Sequence, residues 1–126
     1  RVEDAINATR SALEEGIIEG GGVTLARICE EELMHIDTEN PKDIIKNMFY
    51  SCLREPLLQI TKNAELMPIN IPEIMRGRGL NAKTGEYVNM VKAGIIDPKK
   101  ATRCALENAA YITGLFLTTE AIVIKK

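Results

Sequence analysis

The stretch Glu19-Gly20-Gly21-Gly22-Val23, EGGGV in one-letter code, decides how this chain is read. Three adjacent glycines stand between two segments whose apolar spacing is helical. A glycine in a helix interior costs about 1 kcal/mol relative to alanine, so three together stop a helix. Upstream, Val2, Ala5, Ile6, Thr9 and Leu13 recur at helical spacing, predicting a helix over residues 1–15 with Gly16 at its C-terminal cap. Downstream, Val23, Ala26, Cys29 and Leu33 repeat the pattern and predict a second helix ending near Met34. The glycines thus form a bare-backbone joint, and two readings stay open. One is a flexible turn; the other is a surface where a ligand or another main chain comes close, beside the unpaired N–H groups of the second helix. The run matches neither the Walker pattern nor GxGxxG.

Beyond residue 34, HIDTEN reads as a polar turn. Asn40 suits an N-cap, Pro41 the first helical position and Asp43 the first turn, so a third helix is expected there. Ile44, Ile45, Met48, Phe49, Cys52 and Leu53 form its expected buried stripe. Pro56 cannot continue that helix cleanly, leaving residues 55–63 as a kinked extension or a separate helix. A short helix is expected over residues 71–76. The glycine-rich GRGLNAKTGEY, residues 77–87, reads as a small hairpin or irregular turn. Asp97-Pro98 is expected to open a last long helix, with Ala101, Cys104, Ala105, Ile112 and Leu115 on one face and Asn108 as a polar interruption. TTEAIVIKK, residues 118–126, is β-branched and predicts a short C-terminal strand, which needs a partner from elsewhere. The fold class expected is mainly α, with a small β-hairpin and that terminal strand.

Composition bounds the partners. With 126 residues, 45% hydrophobic and 27% charged, the chain is long enough for a domain with a real core. A net charge of −2 provides no basic footprint, which argues against nucleic acid. No apolar run approaches the roughly 18 residues that would span a bilayer, and no signal-peptide pattern opens the chain. Cys29, Cys52 and Cys104 are odd in number and lack CxxC spacing, so buried free thiols in a reducing compartment are expected, with no metal site. Aromatics are 4% and tryptophan is absent, leaving Ala, Ile, Leu, Val and Met to build the core. The chain begins at Arg1, inside a helical pattern, which suggests a fragment whose apolar faces include surfaces for missing partners.

Two aspartates each admit two readings. Asp97 can cap its own helix or accept hydrogen bonds from sugar hydroxyls, as acids do in nucleotide sites. Asp4 lies off the apolar face of the first helix, so it is either solvated or faces a ligand across a movable interface, orienting water or magnesium for phosphoryl transfer. His35 lies in a polar turn without an acid–base partner and is assigned no role.

Taken in order, the residues carry a resemblance. RVEDAINATRSALEEGIIEGGGVTLAR, GLNAKTGEYVNMVKAGIIDPKKATRCALENAA and TTEAIV resemble the C-terminal part of group I chaperonins, the GroEL family. The similarity covers nearly the whole chain and is weakest between about His35 and Arg78. It implies a subunit with an equatorial ATP-binding domain, an apical domain for unfolded protein and an intermediate hinge domain. Residues 1–15 would be the returning segment of the hinge domain, and residues 16–126 the C-terminal half of the helical equatorial domain. By position, Gly21 would lie against the nucleotide sugar and Asp97 would bind the ribose hydroxyls. Asn81, Ala82 and Lys83 would lie beside the adenine, Ile95 would be an apolar wall, and Asp4 would be the hydrolysis acid. The cofactor implied is ATP or ADP, with magnesium in the full-length parent held mostly by residues outside this chain.

The implied partners are neighbouring subunits in seven-membered rings, and, through an apical domain absent here, unfolded clients and a co-chaperonin lid. The implied location is bacterial cytoplasm or an organelle matrix. Some residues depart from the pattern. Lys83 replaces a usually small residue, and Glu65 stands where glycine is common, so a different turn is expected there. The Gly-Asp-Gly-Thr phosphate loop and the Gly-Met-rich tail are absent from the sequence, so the chain alone is expected not to hydrolyse ATP. The competing expectation is a stand-alone helical interaction module without nucleotide chemistry.

Overall fold

The computed structural model describes the backbone of residues 1–124 and the side chains of residues 1–119. In chain order the elements are α1 (Val2–Glu15), β1 (Ile17–Glu19), α2 (Val23–Leu33), α3 (Pro41–Cys52), α4 (Glu55–Asn63), α5 (Ile71–Met75), β2 (Gly79–Asn81), β3 (Glu86–Val88), β4 (Ile96–Pro98) and α6 (Lys99–Ile124). The fold is mainly α with a small antiparallel hairpin, β2–β3, in which Leu80 pairs with Tyr87 and Asn81 with Glu86. A second two-stranded sheet joins β1 and β4. The chain divides into two units, Ile18–Ile96 and a second built of Arg1–Ile17 with the segment from Asp97 onward.

Within residues 18–96, α2 is the central helix, and α3, α4 and α5 pack on it. Its buried positions Val23, Ala26 and Cys29 follow the helical spacing read from the sequence. Val23 and Ala26 join Leu57, Ile74 and Met90 in one core cluster, edged by Ile69, Tyr87, Val88 and Ile95. Burying each large aliphatic side chain contributes about 1.5–3 kcal/mol, so this cluster is the main apolar stabilisation of the unit. Burial also pushes the Cys29 thiol above its ordinary pKa, against the opposing influence of Arg54. The three cysteines are free, but Cys52 is exposed and Cys104 half-buried, which corrects the expectation of three buried thiols.

The start of α3 is as expected: the Asn40 side chain accepts from the Lys42 N–H, and Pro41 opens the helix. Its stripe is not. Ile44, Ile45, Met48 and Phe49 are exposed, and of the six expected positions only Leu53, at the helix end, is buried. The spacing produced the amphipathic helix, but among the described residues no element covers its apolar face. Pro56 starts a separate helix rather than kinking α3, since Leu53 closes α3 and proline occupies the first turn of α4.

The end of α4 resolves the Glu65 departure. Glu65 adopts φ 57°, and its N–H donates to the Lys62 carbonyl while that of Leu66 donates to Thr61. These are the two bonds of a Schellman cap. A glutamate has therefore taken up the left-handed conformation that glycine adopts most readily, so the turn type does not depend on glycine here.

In the other unit, α1 ends at Gly16, whose N–H donates to the Ala12 carbonyl. It packs beside α6. Ion pairs join Glu14 to Lys100 and Glu15 to Arg103, and Arg103 also bonds Glu107 at 3.0 Å. Among the described residues of this unit none is buried, so the expected face of α6 is open: Ile112 and Leu115 are exposed. Two further expectations are corrected. Asp97 and Pro98 lie in β4, and α6 begins at Lys99, so Asp97 does not sit at the cap of that helix. Residues 119–124 continue α6 instead of forming a strand. A strand needs a partner for its N–H and C=O groups, whereas a helix satisfies them within one segment. Along α6 the hydroxyls of Thr113, Thr118 and Thr119 donate to carbonyls four residues back and so find their partners within the helix.

Candidate functional site

The glycine joint is a bend in which each residue has its own reason to lack a side chain. A Cβ on Gly20 would stand 3.2 Å from the main chain of Ile95 and Ile96, because the Gly20 N–H donates to the Ile95 carbonyl at 2.9 Å. Gly22, at φ 74°, caps α2 without a side-chain bond, and a Cβ there would meet the Leu57 nitrogen at 2.8 Å. Gly21 differs. At φ 66° it is left-handed, but its nearest neighbours would be the Met90 methyl at 3.4 Å and the Leu80 carbonyl oxygen at 3.9 Å. A Cβ on either outer neighbour would press on this chain's own backbone, whereas one on Gly21 would meet only ordinary contacts. Close approach of main chains, the alternative to a flexible turn, thus describes Gly20 and Gly22.

The hairpin supplies the second part. Leu80 is buried and Asn81 half-buried, while Ala82 and Lys83 are exposed in the loop. Asn81 organises that loop: its side-chain oxygen accepts from the Lys83 N–H at 3.0 Å and its carbonyl from Gly85 at 2.8 Å. This fixes the backbone of residues 81–85 whatever side chain stands at 83. Ile95 is half-buried against the core, and its N–H donates to the Met90 carbonyl. Within residues 18–96 the fold therefore gathers Gly21, the strand entering Asn81, and Ile95 around Met90. These residues are far apart in sequence.

Asp97 follows Ile95 by two residues in β4 and is half-buried; among the described residues its carboxylate accepts no hydrogen bond. Asp4 lies in the first turn of α1 and is exposed, as are Val2 and Ile6 beside it. Both aspartates belong to the unit of α1 and α6. The apolar face of α1 forms an open groove of about 490 Å³ lined by Val2, Ala5, Ile6, Thr9, Arg10 and Leu13. His35 is exposed.

Sequence reading missed one residue of the neighbourhood. Arg27, in the second turn of α2, pairs its guanidinium with both oxygens of Glu19 and donates from Nε to the Ile74 carbonyl at 2.8 Å. Nothing in the order of residues marks it, since its partners Glu19, Ile74 and the Arg78 carbonyl lie 8, 47 and 51 positions away. The groups gathered near Gly21 are main chain, the apolar side chains of Met90 and Ile95, and the Asn81 carboxamide.

One family accounts for the whole of this arrangement. The sequence model of the TCP-1/cpn60 chaperonin family matches residues 1–126, the full length of the sequence. Helix, glycine joint, hairpin and long terminal helix all fall inside that match, and the chain belongs to the TCP-1/cpn60 chaperonin family.

Proposed function

We propose that this chain is the C-terminal part of a group I chaperonin subunit and contributes the nucleoside side of its ATP site. The observation that carries the reading is the position of Gly21. It is the one glycine of the three whose Cβ position would meet backbone at no less than ordinary van der Waals distance, the Leu80 carbonyl oxygen at 3.9 Å, and it lies beside the strand leading into Asn81. A nucleoside fits these groups. The bare main chain of Gly21 admits a sugar at contact distance, Asn81 and the main chain of Ala82 and Lys83 offer polar edges to a purine, and Ile95 offers an apolar wall. The Asn81 turn explains how a lysine at position 83 is compatible with a backbone contact there. Asp97 would accept bonds from the ribose hydroxyls, consistent with a carboxylate that accepts no hydrogen bond among the described residues.

Family members are generally ATP-dependent folding machines that work as oligomeric rings on client proteins. Bound ATP supplies the phosphoryl chemistry, for which magnesium would be held mostly by residues outside this sequence. In the parent protein Asp4 would orient water at the terminal phosphate, and its place on an exposed helical turn suits an acid whose target lies in another part of the subunit. The hinge and equatorial assignments of residues 1–15 and 16–126, the seven-membered ring, the co-chaperonin lid and a cytoplasmic or organelle-matrix location belong to the same proposal.

Titrating the isotope-labelled chain with ADP tests it. Amide shifts at Gly21, Asn81, Lys83 and Ile95 are expected, with weak affinity and no ATP turnover above a denatured control. Shifts confined to other surfaces, or none, would remove the nucleotide assignment. In the parent, Asp4→Ala should strongly reduce hydrolysis and largely spare ATP binding. The exposed faces of α1, α3 and α6 favour a second reading, a helical interaction module without nucleotide chemistry. A coding sequence with several hundred upstream residues would decide against it.

A further inference from the structure

Four glycines, Gly20, Gly21, Gly22 and Gly79, line the two segments that meet at the candidate site, and the Met90 side chain lies against both Gly21 and Gly79. Arg27 adds a polar tie beside that packing. Its fork grips Glu19, the residue before Gly20, with Nη2 at 3.1 Å from the second carboxylate oxygen. The same Nη2 donates at 3.4 Å to the carbonyl of Arg78, the residue before Gly79. Nε donates to Ile74, so the end of α5 is held as well. One guanidinium thus ties the residue that precedes each glycine-bearing segment to a single point on α2. The Arg27 and Glu19 side chains are only 19% and 16% exposed, which shields the pair from water.

We propose that Arg27 is a positioning residue: it sets the spacing between the main chain of Gly21 and the Asn81 turn, and through that spacing the affinity of the half-site for a nucleoside phosphate. The link to affinity rests on the nucleotide reading above; the control of spacing does not. Charge alone is insufficient for the role. Arginine presents five donors in a rigid plane, whereas lysine offers a point charge that cannot reach a carboxylate and two carbonyls in that geometry. The apolar core of Val23, Ala26, Leu57, Ile74 and Met90 is made of other residues, so the fold does not depend on the fork.

The experiment compares the wild-type chain with Arg27→Lys and Glu19→Gln by hydrogen exchange and by ADP titration. The reporters are the amides of Gly20 and Gly85, bonded to the carbonyls of Ile95 and Asn81, with the amides of α4 as internal control. Arg27→Lys should speed exchange at both reporters selectively and weaken ADP binding about tenfold, as expected for the loss of a charge-assisted hydrogen bond. Glu19→Gln, which keeps one acceptor, should show a smaller change in both. Wild-type exchange at both reporters overturns the proposal, and so does uniform acceleration that includes α4, which would mark a purely structural role. If the wild-type chain takes up no ADP yet Arg27→Lys loosens the two reporters selectively, the nucleotide reading fails and the control of spacing stands. If ADP binds and Arg27→Lys binds it equally well, the nucleotide reading stands and the proposal fails.

Discussion

Residues 18–96 and the unit of α1 and α6 both carry apolar stripes at helical spacing, but they use them differently. The first unit closes its stripes on one another: Val23, Leu57, Ile74 and Met90 are fully shielded, and Arg27 links α2 to the two glycine-bearing segments through Glu19 and Arg78. In the second, Leu13 and Val2 remain open to solvent, and exposed charges link the two helices. An amphipathic pattern therefore specifies a helix and a face, while burial depends on what is available to cover that face.

The largest expected effect breaks the contrast directly. Leu57→Ala should cost about 2–5 kcal/mol, enough to unfold residues 18–96, because a fully buried leucine leaves both lost transfer energy and a cavity. Ile6→Ala, on the open face of α1, should change stability by less than about 0.5 kcal/mol. Urea denaturation of the two variants checks the pair, and equal losses would show that α1 is as well covered as α4. An intermediate effect has the opposite sign. Glu65→Gly should stabilise the chain by about 1 kcal/mol, since a left-handed position costs a residue with a Cβ roughly 1–2 kcal/mol and glycine almost nothing. A lower thermal midpoint for this variant would contradict the Schellman geometry at the end of α4.

The smallest effect concerns charge. The hydrogen bond from Arg103 holds the Glu15 carboxyl below its ordinary pKa of 4.5. A lowered folded-state pKa means that the contribution is complete above the unfolded value and fades as pH falls through the folded one. Acidification below about pH 4.5 should therefore speed amide exchange in α1 before it affects α2, and added salt should act in the same direction. Glu15→Gln should flatten that acid response. The Asp37 N–H and Lys46 likewise hold the Asp43 carboxyl low, so the loop before α3 is expected to loosen in the same range while the apolar core does not.

Much of the architecture was legible because it depends on local chemistry. Asn40-Pro41 announced α3, Gly16 the end of α1, and the glycine-rich residues 77–87 the hairpin, each through backbone preferences that act within a few residues. The candidate site was only partly legible. Gly21, Asn81 and Ile95 came from family resemblance, and their gathering around Met90 depends on contacts that no local window contains. Arg27 was illegible for the same reason. The short strands β1 and β4 escaped notice because three residues are too few for an alternating pattern, and Asp97-Pro98 imitates a helix start.

The sequence by itself determined the helices, the breaks between them and the membership of a chaperonin family. Local propensity, capping and glycine content act over a turn or two of backbone, and family resemblance is carried by residue order. Only the tertiary structure decided which apolar faces are covered, why each glycine of the joint is a glycine, and that residues 119–124 extend a helix. Those outcomes depend on which atoms meet across tens of residues, and on whether a segment finds a hydrogen-bonding partner outside itself.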